Sequence, residues 1–212
     1  LGDPVAGPAV VPRCRGLRRR SGNRLAHGGH SGRVRADHTV LINAVGGVVG
    51  SAALQIVKLH GACVIASASS YGKLDRAKAL GADAVVNYSS RNLRGEVLDL
   101  TRGRGVDLVI ESVGGDVLVH SIAAVCDNGR LVTCGAHAGE TVPINIVELF
   151  RKHMTIHGAH LAGRREIAHV LALVAEGKLK PVIDSVHPLK DIQIAAAKTA
   201  NREAFGKMVL VP

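Results

Sequence analysis

Residues 39–66 read TVLINAVGGVVGSAALQIVKLHGACVIA, and the order of their parts decides the fold. The β-branched and aliphatic run Thr39 to Asn43 predicts a buried strand. It leads into Ala44-Val45-Gly46-Gly47-Val48-Val49-Gly50, and a helical period begins at once over Val48 to His60. On that helix Val49, Ala52, Ala53, Ile56 and Val57 form the expected apolar face, with Ser51, Gln55 and Lys58 turned away. Gly61 ends the helix, and a second strand is expected at Cys63 to Ala66. This order gives the glycines a mechanism. Gly47 lets backbone approach a pyrophosphate, Gly50 lets helix and strand pack closely, and the free N–H groups of the helix face the anion. Val45 takes the first position of GxGxxG, so the motif is AxxGxxG over Ala44, Gly47 and Gly50.

Outward from that unit the rhythm repeats. Helices are expected at 72–80, 93–101, 117–125 and 164–176, between strands at 84–87, 106–110, 130–134 and 154–158. Six strands with helical crossovers predict an α/β fold, a doubly wound parallel Rossmann sheet over residues 37–178. Residues 179–212 break the pattern with a strand (181–186), a helix (189–200) and a last strand (208–211). These elements come after the sheet is complete and need some other surface to bury against.

The chain has 212 residues, 47% hydrophobic and 21% charged, which argues against global disorder, and no apolar run is long enough to span a bilayer. Two Tyr, two Phe and no Trp make a stacking platform for single-stranded nucleic acid improbable. The net charge of +10 is local: residues 1–36 hold eight Arg and one acid, so that Gly/Ala/Pro-rich leader carries +7. A basic arm for nucleic acid competes with a disordered or non-native leader, and a lone basic run favours the latter. Cys14, Cys63, Cys126 and Cys134 form no CxxC pair, so reduced, buried thiols are expected. A cytoplasmic protein is expected, with no nucleic-acid or membrane partner.

Cofactor choice is read after the second strand, where an NAD site usually places a carboxylate for the ribose 2′-hydroxyl. Ala66-Ser67-Ala68-Ser69-Ser70-Tyr71-Gly72-Lys73 offers hydroxyls and a cation instead, so NADP(H) is the expected ligand. Lys73 supplies the charge and Ser69 a short donor; the alternative is that both solvate the start of the next helix.

The segments 42–66, KLDRAKALGADAVVNY (73–88), GVDLVIESVGG (105–115), GRLVTCGAHAG (129–139) and FGKMVLVP (205–212) resemble the cofactor-binding half of the medium-chain dehydrogenase/reductase superfamily. The likeness is to its NADPH:quinone oxidoreductase-like and zinc-binding alcohol dehydrogenase-like members, and it covers about residues 34–212. The resemblance implies that Ala44, Gly46, Gly47, Val48, Val49 and Gly50 hold the pyrophosphate, Ser69, Lys73 and Tyr88 the 2′-phosphate, and Ser112, Val113 and Gly114 the adenosine side. Cys134, Gly135 and Ala136 would lie by the nicotinamide. Family members place a GroES-like catalytic domain ahead of this half, where the Arg-rich leader stands here. Residues 179–212 resemble the segment that returns to dock on that domain.

His153, His157 and His160 have spacings that would suit zinc on one helix face, but MTIHGAH reads as strand and turn, so no metal site is expected. Glu111, after the fourth strand, is expected to be solvated or ribose-facing rather than a general base. The function expected is hydride transfer to or from a small-molecule quinone, carbonyl, alcohol or activated alkene. A catalytically inactive NADP-binding module is the second reading, and a homodimer is an expectation for the intact parent.

Overall fold

The structure, a computed structural model, describes residues 34–89 and 92–212. Most of the Arg-rich leader, with Cys14, lies outside the described residues. Six strands form one parallel sheet: β1 (Thr39–Ile42), β2 (Cys63–Ala68), β3 (Ala84–Asn87), β4 (Val106–Glu111), β5 (Val125–Thr133) and β6 (Thr155–Gly158). Their order is β3-β2-β1-β4-β5-β6, as the doubly wound reading requires. Helices α1 (Val48–Leu59), α2 (Tyr71–Ala79), α3 (Leu93–Leu100), α4 (Gly115–Ala123) and α5 (Ile146–Arg151) supply crossovers, and α6 (Arg164–Ala175) follows β6. The sequence reading missed α5, whose six residues include no buried side chain to set a pattern.

β1 explains why the central strands read as continuous apolar runs: Val40, Leu41 and Ile42 are all fully buried. Alternation sends Val40 and Ile42 into one core with Leu54 and Leu74, and Leu41 into the other with Val97 and Ile122. A buried polar chain ties the layers together. Ser67 Oγ donates to Asn43 Oδ1 at 2.6 Å, Asn43 Nδ2 donates to Ser121 Oγ at 2.7 Å, and Ser121 Oγ donates to the Val117 carbonyl at 2.7 Å.

The expected face of α1 is wrong by a rotation. Its buried residues are Gly50, Ser51, Leu54 and Val57, while Val49 and Ala52 are exposed. Gly50 fixes that rotation: a Cβ there would lie 2.6 Å from both the Ala44 carbonyl oxygen and Val45 Cα. Only a face centred on this glycine can approach β1 so closely, and Ser51 is carried inward with it.

The last elements are β7 (Ile183–Pro188), α7 (Ile192–Ala200), entered through one 3-10 turn, and β8 (Lys207–Val211). β7 and β8 pair in parallel as a separate two-stranded sheet. Part of this segment is seated on the Rossmann sheet domain. Phe205 is 2% exposed within the core containing Val45 and Leu74, and the Gly206 N–H donates to the Gly46 carbonyl at 2.8 Å. Elsewhere on it, Val186, Ile192 and Ile194 are exposed.

Candidate functional site

The strand order reverses direction at β1, which has β2 on one side and β4 on the other. Open α/β sheets bind ligands at the carboxyl edge of such a switch point. The predicted residues gather at that edge in two groups.

In the first group, Ala44, Gly46, Gly47, Ser69, Lys73 and Tyr88 line a single shallow cleft together with Ala68. The turn is tightly built: the Val45 N–H donates to the Ser67 carbonyl at 3.0 Å and the Gly47 N–H to the Ala44 carbonyl at 2.8 Å. Ala44 bends into the left-handed region with φ 47°, a conformation a glycine adopts without strain. Gly47 caps α1 without a side-chain acceptor, and the first turn of the helix contains no acidic residue. The first-turn N–H groups, including those of Val48 and Val49, therefore have no helical partner and no competing anion. Val48 and Val49 are themselves exposed at this helix end.

Lys73 enters the cleft along its stem, so closely that a Cβ on Gly46 would lie 2.9 Å from Lys73 Cδ. Its Nζ donates to the Arg202 carbonyl. Burial of the ammonium, and then the Arg202 guanidinium nearby, lower its pKa. Tyr88 is held at the end of β3 by its N–H donating to the Ala68 carbonyl at 3.2 Å, beside the exposed Ser69.

In the second group, the loops after β4 and β5 form one ledge of backbone on backbone. The Ala138 N–H donates to the Val113 carbonyl at 2.7 Å, and the Cys134 N–H to the Glu111 carbonyl at 3.0 Å. A Cβ on Gly135 would meet the Ser112 carbonyl oxygen at 2.8 Å. Gly114 has φ 77°, and a Cβ there would lie 2.9 Å from Ala136 Cα, so both conformation and space demand glycine.

Glu111 is not where the sequence reading put it. It is fully buried rather than solvated or ribose-facing. One carboxylate oxygen accepts from the Val113 N–H at 2.7 Å and the Gly114 N–H at 3.1 Å, which organises the ledge from beneath. Burial pushes its pKa up, opposed by those N–H groups and the Thr133 hydroxyl. The thiol expectation also needs correction. Cys126 is buried and free, whereas Cys134 is free but exposed. Burial raises the Cys126 thiol to about 11 and pushes Cys134 upward.

His153 follows α5 in a turn, His157 lies on β6 and His160 in the loop beyond, so no helix face brings them together. Among the described residues no group of three or more His, Cys, Asp or Glu is placed to hold a metal ion. Nor is any helix among them long and apolar enough to cross a membrane.

Residues 48–176 match the family model described as zinc-binding dehydrogenase. The chain belongs to the zinc-binding dehydrogenase family. It is 30% identical over 184 residues to quinone oxidoreductase-like protein 2 of Bos taurus, covering 81% of this chain and 52% of that protein. A solved NAD-dependent alcohol dehydrogenase is 40% identical with a TM-score of 0.78, over 84% of this chain and 52% of its own. A quinone oxidoreductase from Pseudomonas syringae pv. tomato is 30% identical with a TM-score of 0.74, over 85% of this chain and 58% of its own. The chain thus spans about half the length of the zinc-binding dehydrogenases it matches, consistent with a cofactor-binding half of the medium-chain superfamily.

The sequence reading missed the residues from the far end of the chain that contact the lining of the cleft: Arg202 against Lys73, and Phe205 and Gly206 against Gly46. FGKMVLVP was visible as a motif, but its place beside Gly46 depends on a contact between distant segments that no local period encodes.

Proposed function

We propose that this chain is the dinucleotide-binding half of an NADPH-dependent oxidoreductase that moves a hydride to or from a small quinone, carbonyl, alcohol or activated alkene. The observation that carries the reading is one cleft in which the glycine turn, Ser69, Lys73 and Tyr88 converge, with no carboxylate at the end of β2. The turn fits a pyrophosphate because α1 presents first-turn N–H groups without helical partners or a capping side chain, next to Gly47, which carries no side chain of its own.

When bound, the nicotinamide supplies the hydride chemistry. This chain's residues bind and orient it. The first-turn N–H groups of α1 hold the pyrophosphate, Ser69, Lys73 and Tyr88 surround the 2′-phosphate, and the ledge of Ser112 to Gly114 and Cys134 to Ala136 carries the remainder. Lys73 is the discriminating group, since its ammonium makes a charge-assisted pair with a 2′-phosphate and meets only a neutral acceptor on a 2′-hydroxyl. The substrate named for a relative is that relative's own; here the acceptor is assigned only by class.

Calorimetric titration of the chain with NADPH and with NADH tests the reading. Tighter binding of NADPH is expected. Equal affinity for the two would reject the 2′-phosphate assignment, and binding of neither would reject the site.

A further inference from the structure

The glycine turn is braced by a carboxylate far away in sequence. Asp184 lies on β7 with its side chain 4% exposed. Its Oδ1 accepts from Arg76 Nη1 at 2.6 Å and from the Phe205 N–H at 3.0 Å, and its Oδ2 meets Lys198 Nζ at 2.6 Å. One buried anion thereby joins α2, α7 and the approach to β8. Arg76 contributes twice more, placing its guanidinium 4.6 Å over the Phe205 ring and donating from Nη2 to the Phe205 carbonyl at 3.3 Å.

Phe205 passes this order to the cleft. A Cβ on Gly46 would lie 3.3 Å from Phe205 Cδ2, and the Gly206 N–H donates to the Gly46 carbonyl at 2.8 Å. Gly46 is flanked by Phe205 and by the Lys73 stem, and Lys73 stands one helical turn before Arg76 on α2. Loss of Phe205 from this place would open space beside the turn that presents backbone to an anion.

We infer that Asp184 is a positioning residue for the dinucleotide: its carboxylate, together with Arg76 and Lys198, fixes Phe205, and Phe205 with Gly206 holds Gly46 in place, so that cofactor binding and docking of residues 183–212 are coupled. This rests on the dinucleotide reading above. Coupling of this kind is reciprocal, so each event strengthens the other by the same factor. A turn held in its binding conformation before the ligand arrives also loses less freedom on binding.

Residue-resolved hydrogen exchange on the unmodified 212-residue chain, with and without saturating NADPH, is the test. NADPH should slow exchange at residues 46–50 and, by at least about fivefold, at the Phe205 and Gly206 amides. Slowing at 46–50 with none at 205–206 overturns the inference and leaves the dinucleotide reading standing. Slowing nowhere overturns both. Asp184→Asn provides the second readout: NADPH affinity falls at least about fivefold and the slowing at 205–206 disappears while that at 46–50 persists. A merely structural role would lower the melting temperature and leave affinity and coupling unchanged, which also refutes the inference. If the variant does not fold, exchange in the unmodified chain still decides.

Discussion

Gly50→Ala is the smallest change that tests how α1 and the glycine turn are built. The new Cβ would lie 2.6 Å from the Ala44 carbonyl oxygen and from Val45 Cα, both backbone atoms that cannot swing aside. Overpacking of this kind costs about 1 to 3 kcal/mol, and the better helix propensity of alanine returns at most about 1 kcal/mol. The middle of that range, a net loss of about 1 kcal/mol, lowers Tm by roughly 2 to 4 °C for a domain of this size. Relief of the clash moves the start of α1 away from β1, and loss of one charge-assisted hydrogen bond to a pyrophosphate weakens binding by about 1.5 to 3 kcal/mol. The molecule contains its own control. A Cβ on Gly72, near the start of α2, would meet nothing within 4 Å, so Gly72→Ala should be neutral or stabilising and keep its affinity. Thermal melts and NADPH calorimetry on both variants decide it. If Gly50→Ala melts and binds like Gly72→Ala, the close approach has no consequence and the account of the turn is wrong.

Gly47→Asp should abolish NADPH binding in a folded protein, because a carboxylate would occupy the helix terminus proposed for the pyrophosphate; retained affinity by calorimetry rejects that placement. Lys73→Ala should weaken NADPH by about 1.5 to 3 kcal/mol and NADH little, and equal losses for both would remove Lys73 from the 2′-phosphate. Glu111→Ala strips the acceptor from the buried Val113 and Gly114 N–H groups, at about 1 to 3 kcal/mol for each, whereas Glu111→Gln can keep the oxygen that serves both. Urea denaturation should rank alanine well below glutamine, and equal stabilities contradict the ledge. Burial opposes the charge of Asp184, but Lys198, Arg76 and the Phe205 N–H outweigh it and depress its pKa. Its contribution to stability is therefore present above the unfolded carboxylate value of about 3.9 and is lost as pH falls below it. Melts from about pH 6 down to pH 3 should show a steeper acid slope in the unmodified chain than in Asp184→Asn, which keeps the contribution of groups such as Asp107; parallel curves would refute it.

The parallel sheet was legible because its signal is local. β1 to β4 are short, largely aliphatic runs and fall within two residues of their expected places, whereas β5 begins at Val125, five residues before its expected start, because Asp127, Asn128 and Gly129 break its apolar pattern. The glycine turn was legible for a different reason: Gly50 is required by backbone contacts with Ala44 and Val45, only six and five residues earlier in the chain. The face of α1 was misread because hydrophobicity alone favoured Val49 and Ala52. The rotation is set instead by backbone contact at Gly50, which ranks a glycine and a serine above two apolar residues.

Glu111 and Phe205 mark where such reading stops. A carboxylate at the carboxyl edge of a parallel sheet reads as exposed because burial of an unpaired charge is costly. Its burial becomes acceptable only once the loop after β4 folds back and offers N–H groups, a geometry that Gly114 permits and Glu111 then holds. Phe205 follows the same logic over a longer range. Its aromatic neighbours in sequence are none, and the core it fills belongs to β1 and α2, more than a hundred residues earlier in the chain. The cleft therefore has two levels of specification: residues that touch it are written as local motif, and residues that hold it still are written in the partner that a distant segment finds.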